Sequence, residues 1–359
     1  MIGLKDVARL AGVSMATVSR VLTRPELVSP ATRERVRDAA EALHYRPSRV
    51  ARRLRRQAPR ANLVGLIVPD IQNPFFADLA RGVENVAQQG GYMVFLGNSD
   101  EEAAKERRYL ELMRAESVDG LILLPSSDIE PAVADLARGG IPVVCVDRRL
   151  PTASVDTVVA DNVRGAYEAV EHLLRLGHRR IGFLQGRAQL STSQERRQGY
   201  RRALEAAGIG FDAALVREGD SRPDSGRTLA RELLLQEQPP SALLVGNNPM
   251  TLGALETIHL LGLRIPDDVA IIGYDDMPWA LAVEPQLSAV RQPGYEIGRR
   301  ATELLLQRIE DPTRSTRMLL LQPELMVRQS CGAGRGMAAG GRAAAVGLVA
   351  PYPAAPPAA

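Results

Sequence analysis

Four neighbouring side chains near the N-terminus are of types that can read a nucleic acid. Met15, Ala16, Ser19 and Arg20 follow Gly12, a residue that permits a sharp turn between two helices. They fall outside the apolar pattern of this segment, which leaves them free to enter the major groove of a duplex. The spacing therefore predicts a helix-turn-helix, although an ordinary helical hairpin would show the same pattern over a shorter stretch.

The apolar residues of this segment predict the helices that carry those four side chains. Ser14 is placed to cap the second helix. Ser29 followed by Pro30 is typical of the start of a helix and predicts a third helix here, with the Ser29 hydroxyl accepting a backbone N–H. The predicted inward-facing residues are Val7, Ala8, Ala11, Val13, Val18 and Leu22. The predicted helices span residues 4–11, 15–22 and 31–43.

A second group of polar residues follows short apolar runs in the rest of the chain. These runs alternate with helical stretches, which predicts a parallel, doubly wound α/β sheet. Ligands of such sheets bind beyond the carboxyl ends of the strands, where the polar residues lie. The repeat is long enough for two α/β subdomains with a binding cleft between them. The runs are 63–68, 93–96, 121–124, 143–146, 181–184, 243–245 and 269–272.

Charge is distributed unevenly along the 359 residues, whose net charge is +3. Residues 1–60 hold 14 Lys and Arg against 5 Asp and Glu, a net +9, so the remaining residues, with 31 against 37, carry −6. A basic segment attached to a mildly acidic body favours a polyanion as the partner of the segment and a different task for the body. A merely solvated basic arm would give the same charge balance.

Composition and motifs argue against several classes of protein. Hydrophobic residues make up 45% and no apolar run is long enough to span a bilayer, so we expect no membrane partner. The N-terminus lacks a signal-peptide pattern, which favours the cytoplasm. Cys145 and Cys331, the two cysteines, suit neither a disulfide framework nor a metal cage. We expect no catalysis, cofactor or metal, because nucleophile, phosphate-loop, dinucleotide and paired-histidine motifs are missing.

Motifs in both halves of the chain resemble the lactose-repressor (LacI/GalR) family over about residues 3–330. The N-terminal motifs are LKDVARLAGVSMATVSRVL, VSPATRERV and ALHYRPSRVARRL. The later motifs are NPFF at 73–76, VDGLIL at 118–123, LGHRRIGFL at 176–184, RRQGYRRAL at 196–204 and IIGYDD at 271–276. The resemblance implies a sequence-specific DNA-binding repressor controlled by a small sugar.

The resemblance and the composition together predict four regions. Residues 1–46 are the predicted helix-turn-helix headpiece, and residues 47–61 are a linker with a hinge helix. Residues 62–331 are the predicted effector-binding and dimerisation domain, similar in fold to periplasmic binding proteins. Residues 332–359 are rich in Gly, Ala and Pro, which predicts a disordered tail.

The resemblance implies that Met15, Ala16 and Arg20 contact base edges. An arginine can donate two hydrogen bonds to guanine, and the small Ala16 can touch a thymine methyl group. The other predicted contacts of the headpiece, mainly to phosphates, are Ser14, Thr17, Ser19, Ser29 and Thr32. Capping and solvation of the helix surface remain the structural alternative for these hydroxyl groups.

The resemblance also implies a hinge helix that folds on DNA and pairs with its twin across a dimer axis. Val50 would pack against its mate, and Leu54 would enter the minor groove and kink the duplex. Arg49 and Arg53 would add phosphate contacts. A flexible basic tether is the alternative, and the apolar Leu54 among arginines argues against it.

The residues that the resemblance places around the effector lie at the predicted strand ends. Arg196, from the R-x-x-G-Y motif, and Asp275 form the central pair, although a structural salt bridge between the lobes would use the same residues. Ligand binding is expected to close the cleft and thereby to spread or gather the hinge helices. The implied set is Asn73, Phe75, Phe76, Asp147, Arg148, Asp161, Arg196, Asn247, Asn248, Asp275, Trp279 and Gln292.

The residue types of this set favour a neutral sugar or polyol derivative as the effector. Carboxylates, amides and guanidinium groups bind hydroxyls, and an aromatic face suits the apolar side of a sugar ring. The chain departs from many family members at Asn247 and Asn248, where an aspartate is common, and Trp279 is its only tryptophan. A purine-type corepressor is therefore the alternative, and a sugar-binding protein without DNA function is a third interpretation that the headpiece argues against.

The end of the chain favours a homodimer over a tetramer. Residues after Cys331 show no leucine heptads of the kind that form a tetramerisation helix. A twofold dimer carries two identical reading helices, so we expect a pseudo-palindromic operator in double-stranded DNA.

Overall fold

Three short helices form the headpiece at the N-terminus. The computed structural model describes residues 3–23, 25–45, 60–126, 129–151 and 155–333. The helices are α1 (Leu4–Leu10), α2 (Met15–Thr23) and α3 (Pro30–Ala42), with a turn of 3-10 helix at Pro25–Leu27. Their core consists of Val7, Ala8, Ala11, Val18, Val36 and Ala39, with Val13 and Leu22 packed against it. The predicted helix-turn-helix is confirmed, and its sharp turn passes through Gly12 at φ +63°.

Two α/β lobes follow the headpiece, and the chain passes between them more than once. From residue 61 to 160 the elements are β1 (Leu63–Val68), α4 (Pro74–Gln89), β2 (Met93–Asn98), α5 (Ala103–Ala115), β3 (Gly120–Leu123), α6 (Glu130–Arg138), β4 (Val143–Val146) and β5 (Asp156–Ala160). From 161 to 291 they are α7 (Asn162–Arg175), β6 (Ile181–Gln185), α8 (Ser191–Ala206), β7 (Val216–Glu218), α9 (Pro223–Leu234), β8 (Ala242–Val245), α10 (Asn248–Leu260), β9 (Ala270–Tyr274) and β10 (Ser288–Arg291). The last elements are α11 (Gly294–Glu310), β11 (Met318–Leu321) and β12 (Glu324–Met326), and further 3-10 turns lie at Ala213–Leu215, Pro278–Leu281 and Gln329–Cys331.

Each lobe is built on a six-stranded sheet. The order in the first lobe is β11-β5-β4-β3-β1-β2, and every described pairing in it is parallel. The order in the second lobe is β12-β10-β9-β8-β6-β7, in which only β12 is antiparallel to its neighbour. The expected doubly wound parallel sheets are confirmed, with the antiparallel edge strand β12 as a correction.

All seven apolar runs singled out in the sequence are strands, but five further strands were not predicted. β5, β7, β10, β11 and β12 are only three to five residues long. β11 returns to the first lobe late in the chain, where Met318 pairs with Thr157 of β5. Short strands of this kind depend on a partner that is distant in sequence, so local periodicity does not reveal them.

Both faces of each sheet are covered, as a doubly wound fold requires. Leu66 and Ile67 are neighbours in β1 and both are fully buried, because their side chains point to opposite faces. Leu66 packs with residues of α4 and α11, whereas Ile67 packs with residues of α5 and α6. The second lobe repeats this arrangement with α7 and α8 on one face and α9 and α10 on the other. Two-sided burial explains why the strands read as continuous apolar runs.

Helices α4 and α11 of the first lobe pack closely against each other at two glycines. A Cβ on Gly82 of α4 would lie 2.1 Å from the carbonyl oxygen of Tyr295 of α11. A Cβ on Gly298 of α11 would lie 2.1 Å from the carbonyl oxygen of Leu79 of α4. Non-bonded atoms cannot approach so closely, so only glycine allows these two backbones to touch.

We expect Gly82→Ala to lower the free energy of unfolding by about 1–3 kcal/mol, although alanine is the better helix former, because the added methyl group forces the two helices apart. Urea denaturation followed by circular dichroism measures this change. Gly210→Ala is the matched control, since a Cβ at that position would meet no atom within 4 Å. Equal unfolding midpoints for the two variants would contradict the close contact between α4 and α11.

Candidate functional site

A cavity of about 400 Å³ lies between the two lobes at the carboxyl ends of their strands. Its lining comes from the loops that follow β1, β2 and β4 of the first lobe and β6, β7, β8, β9 and β10 of the second. This position is the one that a doubly wound fold offers to a ligand. Nine of the predicted effector contacts line it: Asn73, Phe75, Phe76, Asp147, Arg148, Arg196, Asn247, Asp275 and Gln292.

Two buried carboxylates and one guanidinium group form the centre of this cleft. Asp147 follows β4, Asp275 follows β9, and Arg196 lies on α8; each is at most 7% exposed. Burial raises the pKa of Asp147 to about 6, although the positive charges of Arg148 and Arg196 oppose the change. Burial also raises the pKa of Asp275, again opposed by Arg196. The centre therefore holds acidic groups that bind protons more readily than free carboxylates do.

Two buried oxygen atoms in this centre have no hydrogen-bond partner among the described residues. They are Oδ1 of Asp147 and Oε1 of Gln292. The amide Nε2 of Gln292 is already used, because it donates to Oδ1 of Asp275 at 2.6 Å. A buried acceptor without a donor costs free energy, so both atoms would gain from a ligand that donates hydrogen bonds. The arrangement suits a molecule with at least two hydroxyl or amine donors.

Arg196 is held in one orientation by the second lobe. Its Nε donates to Oδ1 of Asn162 at 2.9 Å, and its Nη1 donates to the carbonyl oxygen of Gly246. Its guanidinium carbon lies 3.8 Å from the centre of the Tyr274 ring, which adds a cation–π contact. The side chain is thus fixed before any ligand arrives.

Arg148 lines the cleft, but Glu101 already neutralises its charge. The two terminal nitrogens of Arg148 donate to both carboxylate oxygens of Glu101 at 2.9 and 2.5 Å. Its Nε is buried without a hydrogen-bond partner among the described residues and lies 3.7 Å from Oδ2 of Asp147. This Nε is therefore a donor that a ligand can use.

An aromatic pair forms the first-lobe wall of the cleft. Phe75 and Phe76 meet edge to face, with ring centres 5.2 Å apart. Asn73 caps α4 ahead of them, because its Oδ1 accepts the backbone N–H of Phe75 at 3.1 Å. The remaining lining residues include no other aromatic side chain, so a flat ligand would stack on one side only.

Three predicted effector contacts are not among the residues that line the cleft. Asp161 caps α7, where its Oδ1 accepts the backbone N–H of Arg164 at 3.0 Å. Asn248 is buried at the start of α10 and reaches Asp275 only through its backbone. Trp279 packs against the apolar core of the second lobe instead of facing the cleft. The amphipathic indole ring fits that core, and the sequence alone did not show whether Trp279 lies in the core or in the cleft.

Asn247 lines the cleft, but both ends of its amide are engaged. Its Oδ1 accepts the backbone N–H of Met250 and so caps α10, and its Nδ2 donates to the carbonyl oxygen of Ser221, each at 3.0 Å. The replacement of a carboxylate by an amide therefore allows a contact that ties the loop after β7 to α10.

Several cleft residues were not predicted from the sequence. Thr192 and Ser193 are buried at the start of α8, and Asp220 and Arg222 lie at the mouth. Asn162 orients Arg196 from outside the cavity lining. The quoted R-x-x-G-Y motif sits one turn after Thr192 and Ser193 and could have indicated them, whereas nothing local distinguishes Asp220 or Arg222.

The predicted base-reading residues lie on the exposed face of α2. Met15, Ala16 and Arg20 are exposed, and Ser19 is half-buried. Val18, on the opposite face, is fully buried in the headpiece core. The structure therefore leaves the start of α2 accessible to a duplex.

The headpiece hydroxyl groups already make local hydrogen bonds. Oγ of Ser14 accepts the backbone N–H of Thr17 at 3.1 Å, as predicted for an N-cap. The prediction for Ser29 was wrong, because its side chain accepts no backbone N–H. Instead its Oγ donates to Oγ1 of Thr32 at 2.9 Å, while the carbonyl oxygen of Ser29 accepts the Thr32 N–H.

The predicted hinge contacts lie outside the described residues. These are Arg49, Val50, Arg53 and Leu54, and the predicted disordered tail lies outside them from residue 334 onward. Within the described ranges, no group of three or more His, Cys, Asp or Glu side chains could hold a metal ion. None of the helices in the described ranges is both long and apolar enough to cross a membrane.

Comparison with known proteins matches both parts of the chain to one family. Residues 3–48 match the model for bacterial regulatory proteins of the lacI family. Residues 61–329 match the model for periplasmic binding proteins and the sugar-binding domain of the LacI family. The HTH-type transcriptional repressor PurR of Aliivibrio salmonicida is 36% identical over 331 residues, which cover 92% of this chain and 99% of the relative. The HTH-type transcriptional repressor CytR of Escherichia coli K12 is 37% identical over 327 residues, or 91% and 95% of the two chains.

A solved structure agrees with these matches. The transcriptional regulator CelR in complex with cellobiose superposes with a TM-score of 0.71 at 36% identity, covering 92% of this chain and all of that one. PurR and CytR are HTH-type transcriptional repressors, and this chain has a lacI-family headpiece followed by a domain similar to periplasmic binding proteins. The chain therefore belongs to the LacI family and is an effector-controlled, DNA-binding transcriptional regulator.

Proposed function

We propose that this regulator is a homodimeric repressor that acts in the cytoplasm, binds a pseudo-palindromic operator and is controlled by a neutral sugar or polyol. The observation that carries the choice of ligand is the pair of buried acceptor oxygens on Asp147 and Gln292, which have no hydrogen-bond partner in the part of the chain that the structure describes. Sugar hydroxyls supply donors to such atoms, while Phe75 and Phe76 offer an apolar wall to the C–H face of a ring. Arg196 and Asp275 complete the contacts to the ligand.

A sugar fits this cleft better than a purine. A planar base gains most when aromatic side chains cover both of its faces. The aromatic side chains lining the cleft, Phe75 and Phe76, both belong to the first lobe. The opposite wall carries polar groups such as Thr192, Ser193 and Asp220. The similar regulator CelR was solved with cellobiose, which agrees with a saccharide as the ligand.

The exposed start of α2 is the proposed base-reading surface. Arg20 would donate to guanine and Ala16 would touch a thymine methyl group, with Met15 beside them. The hydroxyl groups of Ser14, Thr17, Ser19, Ser29 and Thr32 would accept or donate at the phosphates. The hinge residues Arg49, Val50, Arg53 and Leu54 would fold on the duplex centre, as proposed from the family resemblance.

An exposed apolar face on the first lobe supports the proposed homodimer. β2 is an edge strand of its sheet, and its Leu96 is 45% exposed on the side of the sheet that faces α4. Ile71, which lines the same groove, is 55% exposed. A groove of about 410 Å³ between β2 and α4 continues this face and is lined mainly by apolar residues. A second copy of the chain would cover the face and place two α2 helices on one duplex.

A thermal-shift screen followed by calorimetry tests the choice of ligand. The panel contains neutral monosaccharides and disaccharides, sugar acids, and purine bases and nucleosides. We expect a neutral sugar to raise the unfolding temperature of the full-length protein and to bind in calorimetry. A purine that bound tightly while every sugar failed would reverse the proposal.

We predict that Arg20→Ala weakens binding to the specific operator by about 1–3 kcal/mol, because it removes a bidentate contact to a base. Binding to a random duplex should fall much less, since that binding depends on phosphate contacts. Fluorescence anisotropy with an operator selected from random duplexes and with a scrambled duplex measures both. Arg9→Ala is the matched control, because Arg9 is an exposed arginine of α1 that pairs with Asp6. An equal loss on both duplexes for Arg20→Ala would exclude base reading.

We predict that effector affinity rises as the pH increases from 5 to 7 and then levels off. Asp147 accepts a hydrogen bond from a ligand hydroxyl efficiently only when its carboxyl group is ionised, and the pKa of that group is about 6. Below pH 6 the affinity should fall by up to about tenfold per pH unit. Calorimetry between pH 5 and 8 measures the profile.

Asp147→Asn should weaken binding and flatten this profile near pH 6. Asp220→Asn is the matched control, since Asp220 lines the same cleft but is exposed, and the hydrogen bond that it accepts from the Arg222 backbone helps to lower its pKa against the opposing effect of desolvation. That variant should keep the wild-type pH profile. An affinity that decreased with rising pH would mean that protonated Asp147 binds the ligand.

We predict that Leu96→Glu shifts the protein from dimer to monomer, because it places a carboxylate from each subunit in one apolar contact. Sedimentation velocity measures the oligomeric state. Leu235→Glu is the matched control, since Leu235 is 57% exposed in the second lobe, away from this face. A Leu96→Glu protein that remained dimeric would move the interface elsewhere.

A further inference from the structure

A chain of hydrogen bonds leads from the cleft to the contact between the lobes. Nε of Arg196 donates to Oδ1 of Asn162 at 2.9 Å, and Nδ2 of Asn162 donates to Oε2 of Glu195 at 3.1 Å. The other carboxylate oxygen of Glu195, Oε1, lies 3.2 Å from Nε of Arg149. Arg149 belongs to the first lobe and the other three residues belong to the second. The last link therefore crosses between the lobes.

The first-lobe end of this chain is anchored at a second point. The backbone N–H of Arg149 donates to Oγ of Ser191 at 3.0 Å, at the start of α8. Glu195 lies one turn further along the same helix. Arg149 thus contacts the second lobe through both its backbone and its side chain, and a change in the angle between the lobes must alter both contacts.

The turn that carries Arg149 also carries a cleft residue. Asp147 faces the cleft, Arg148 pairs with Glu101 of its own lobe, and Arg149 pairs with Glu195 of the other lobe. Asp147 has φ +63°, a left-handed conformation that is uncommon for a residue other than glycine. This tight turn places Asp147 and Arg148 at the cleft and Arg149 against the other lobe, so a displacement of Asp147 by a ligand also displaces Arg149.

Glu195 requires both of its partners. Its side chain is 15% exposed, and burial raises its pKa, while Arg149 and Asn162 oppose this effect. A partly buried carboxylate that loses one partner is destabilised. Its ion pair with Arg149 and its hydrogen bond with Asn162 are therefore coupled energetically, although the side chain of Arg149 is 40% exposed and the ion pair is partly screened by water.

The first lobe holds the chain that arrives from the headpiece at the amino ends of its strands. Both carboxylate oxygens of Asp119 are used there, because they accept the backbone N–H groups of Ala61 and Leu63 at 2.8 and 3.0 Å. Because this clamp binds the backbone at residues 61 and 63, a rotation of the first lobe would carry residue 61 with it. The movement thereby reaches the segment that connects to the DNA-binding headpiece.

We propose that Glu195 and Arg149 are positioning residues that couple occupation of the cleft at Arg196 to the angle between the lobes. The inference rests on the proposed function, in which a ligand binds Arg196. A ligand that binds Arg196 shifts the hydrogen bond between Arg196 and Asn162. This shift changes the position of Glu195 and thereby its ion pair with Arg149. The first lobe then turns, and the Asp119 clamp transmits the turn toward the headpiece.

Three variants of the relay and two control variants, all in the full-length protein, test the proposal. Arg149→Ala removes the link between the lobes, and Arg149→Lys restores a positive charge there. Arg201→Ala and Glu205→Gln are the controls, because Arg201 and Glu205 form an ion pair at 2.7 Å on the same helix without crossing between lobes. Glu195→Gln keeps an acceptor for Asn162 but removes the charge that attracts Arg149.

The first measurement needs no ligand. Hydrogen–deuterium exchange of the effector-free protein follows the backbone amides of residues 147–151 and 191–195. We expect faster exchange in both segments for Arg149→Ala and Glu195→Gln, partial recovery for Arg149→Lys, and no change for either control. Exchange in Arg149→Ala that equals the exchange in Arg201→Ala would overturn the relay.

The second measurement compares operator affinity with and without the sugar that gives the largest thermal shift in the panel. The ratio of the two affinities is the coupling factor, and we expect Arg149→Ala and Glu195→Gln to reduce it by at least about fivefold. Coupling factors equal to wild type would overturn the proposal. If the wild-type protein bound no sugar in the panel, the proposed ligand would be wrong, and the exchange measurement would still decide whether Arg149 links the lobes.

Discussion

One guanidinium group makes the cleft possible. Asp147 from the first lobe and Asp275 from the second are buried near each other, and the repulsion between two desolvated carboxylates would otherwise favour separation of the lobes. The positive charge of Arg196 opposes that repulsion for both. Because Tyr274, Asn162 and the Gly246 carbonyl fix Arg196 in place, the charge is available without rearrangement. A ligand that binds there changes the balance between the lobes as well as filling a cavity.

The rest of each lobe is built to move as a unit. Helices lie on both faces of each sheet, and in the first lobe Gly82 and Gly298 let two of them touch along their backbones. Such dense packing resists internal deformation, so a change in the cleft is taken up at the segments where the chain passes between the lobes. The chain passes between them near Asp161, near Pro293 and near Pro323. Three crossings restrict the relative movement to a limited rotation, which is a suitable output for a regulator.

The headpiece and the body differ in charge as they differ in function. The net +9 of residues 1–60 serves the approach to a polyanion, whereas the acidic body keeps most of its own charges in ion pairs and in the cleft. Within the headpiece, a core of six buried, small apolar residues supports the exposed start of α2. All of these core residues come from the N-terminal helical segment, so the reading surface is supported by contacts within the headpiece.

The sequence alone determined the features that depend on local periodicity and on turn chemistry. The inward face of the helix-turn-helix, the seven strands formed by apolar runs and the polar residues at their carboxyl ends all follow from spacings within about ten residues. Motifs quoted from the sequence also indicated Arg196 and Asp275 in advance. The tertiary structure decided what depends on contacts between distant segments. It joined β11 to β5, used both ends of the Asn247 amide, placed Trp279 in the core and left Oδ1 of Asp147 without a hydrogen-bond partner among the residues with described positions. Burial and hydrogen-bond partners are properties of the packed chain, and the same side chain can bind a ligand or stabilise the fold depending on which neighbours packing brings to it.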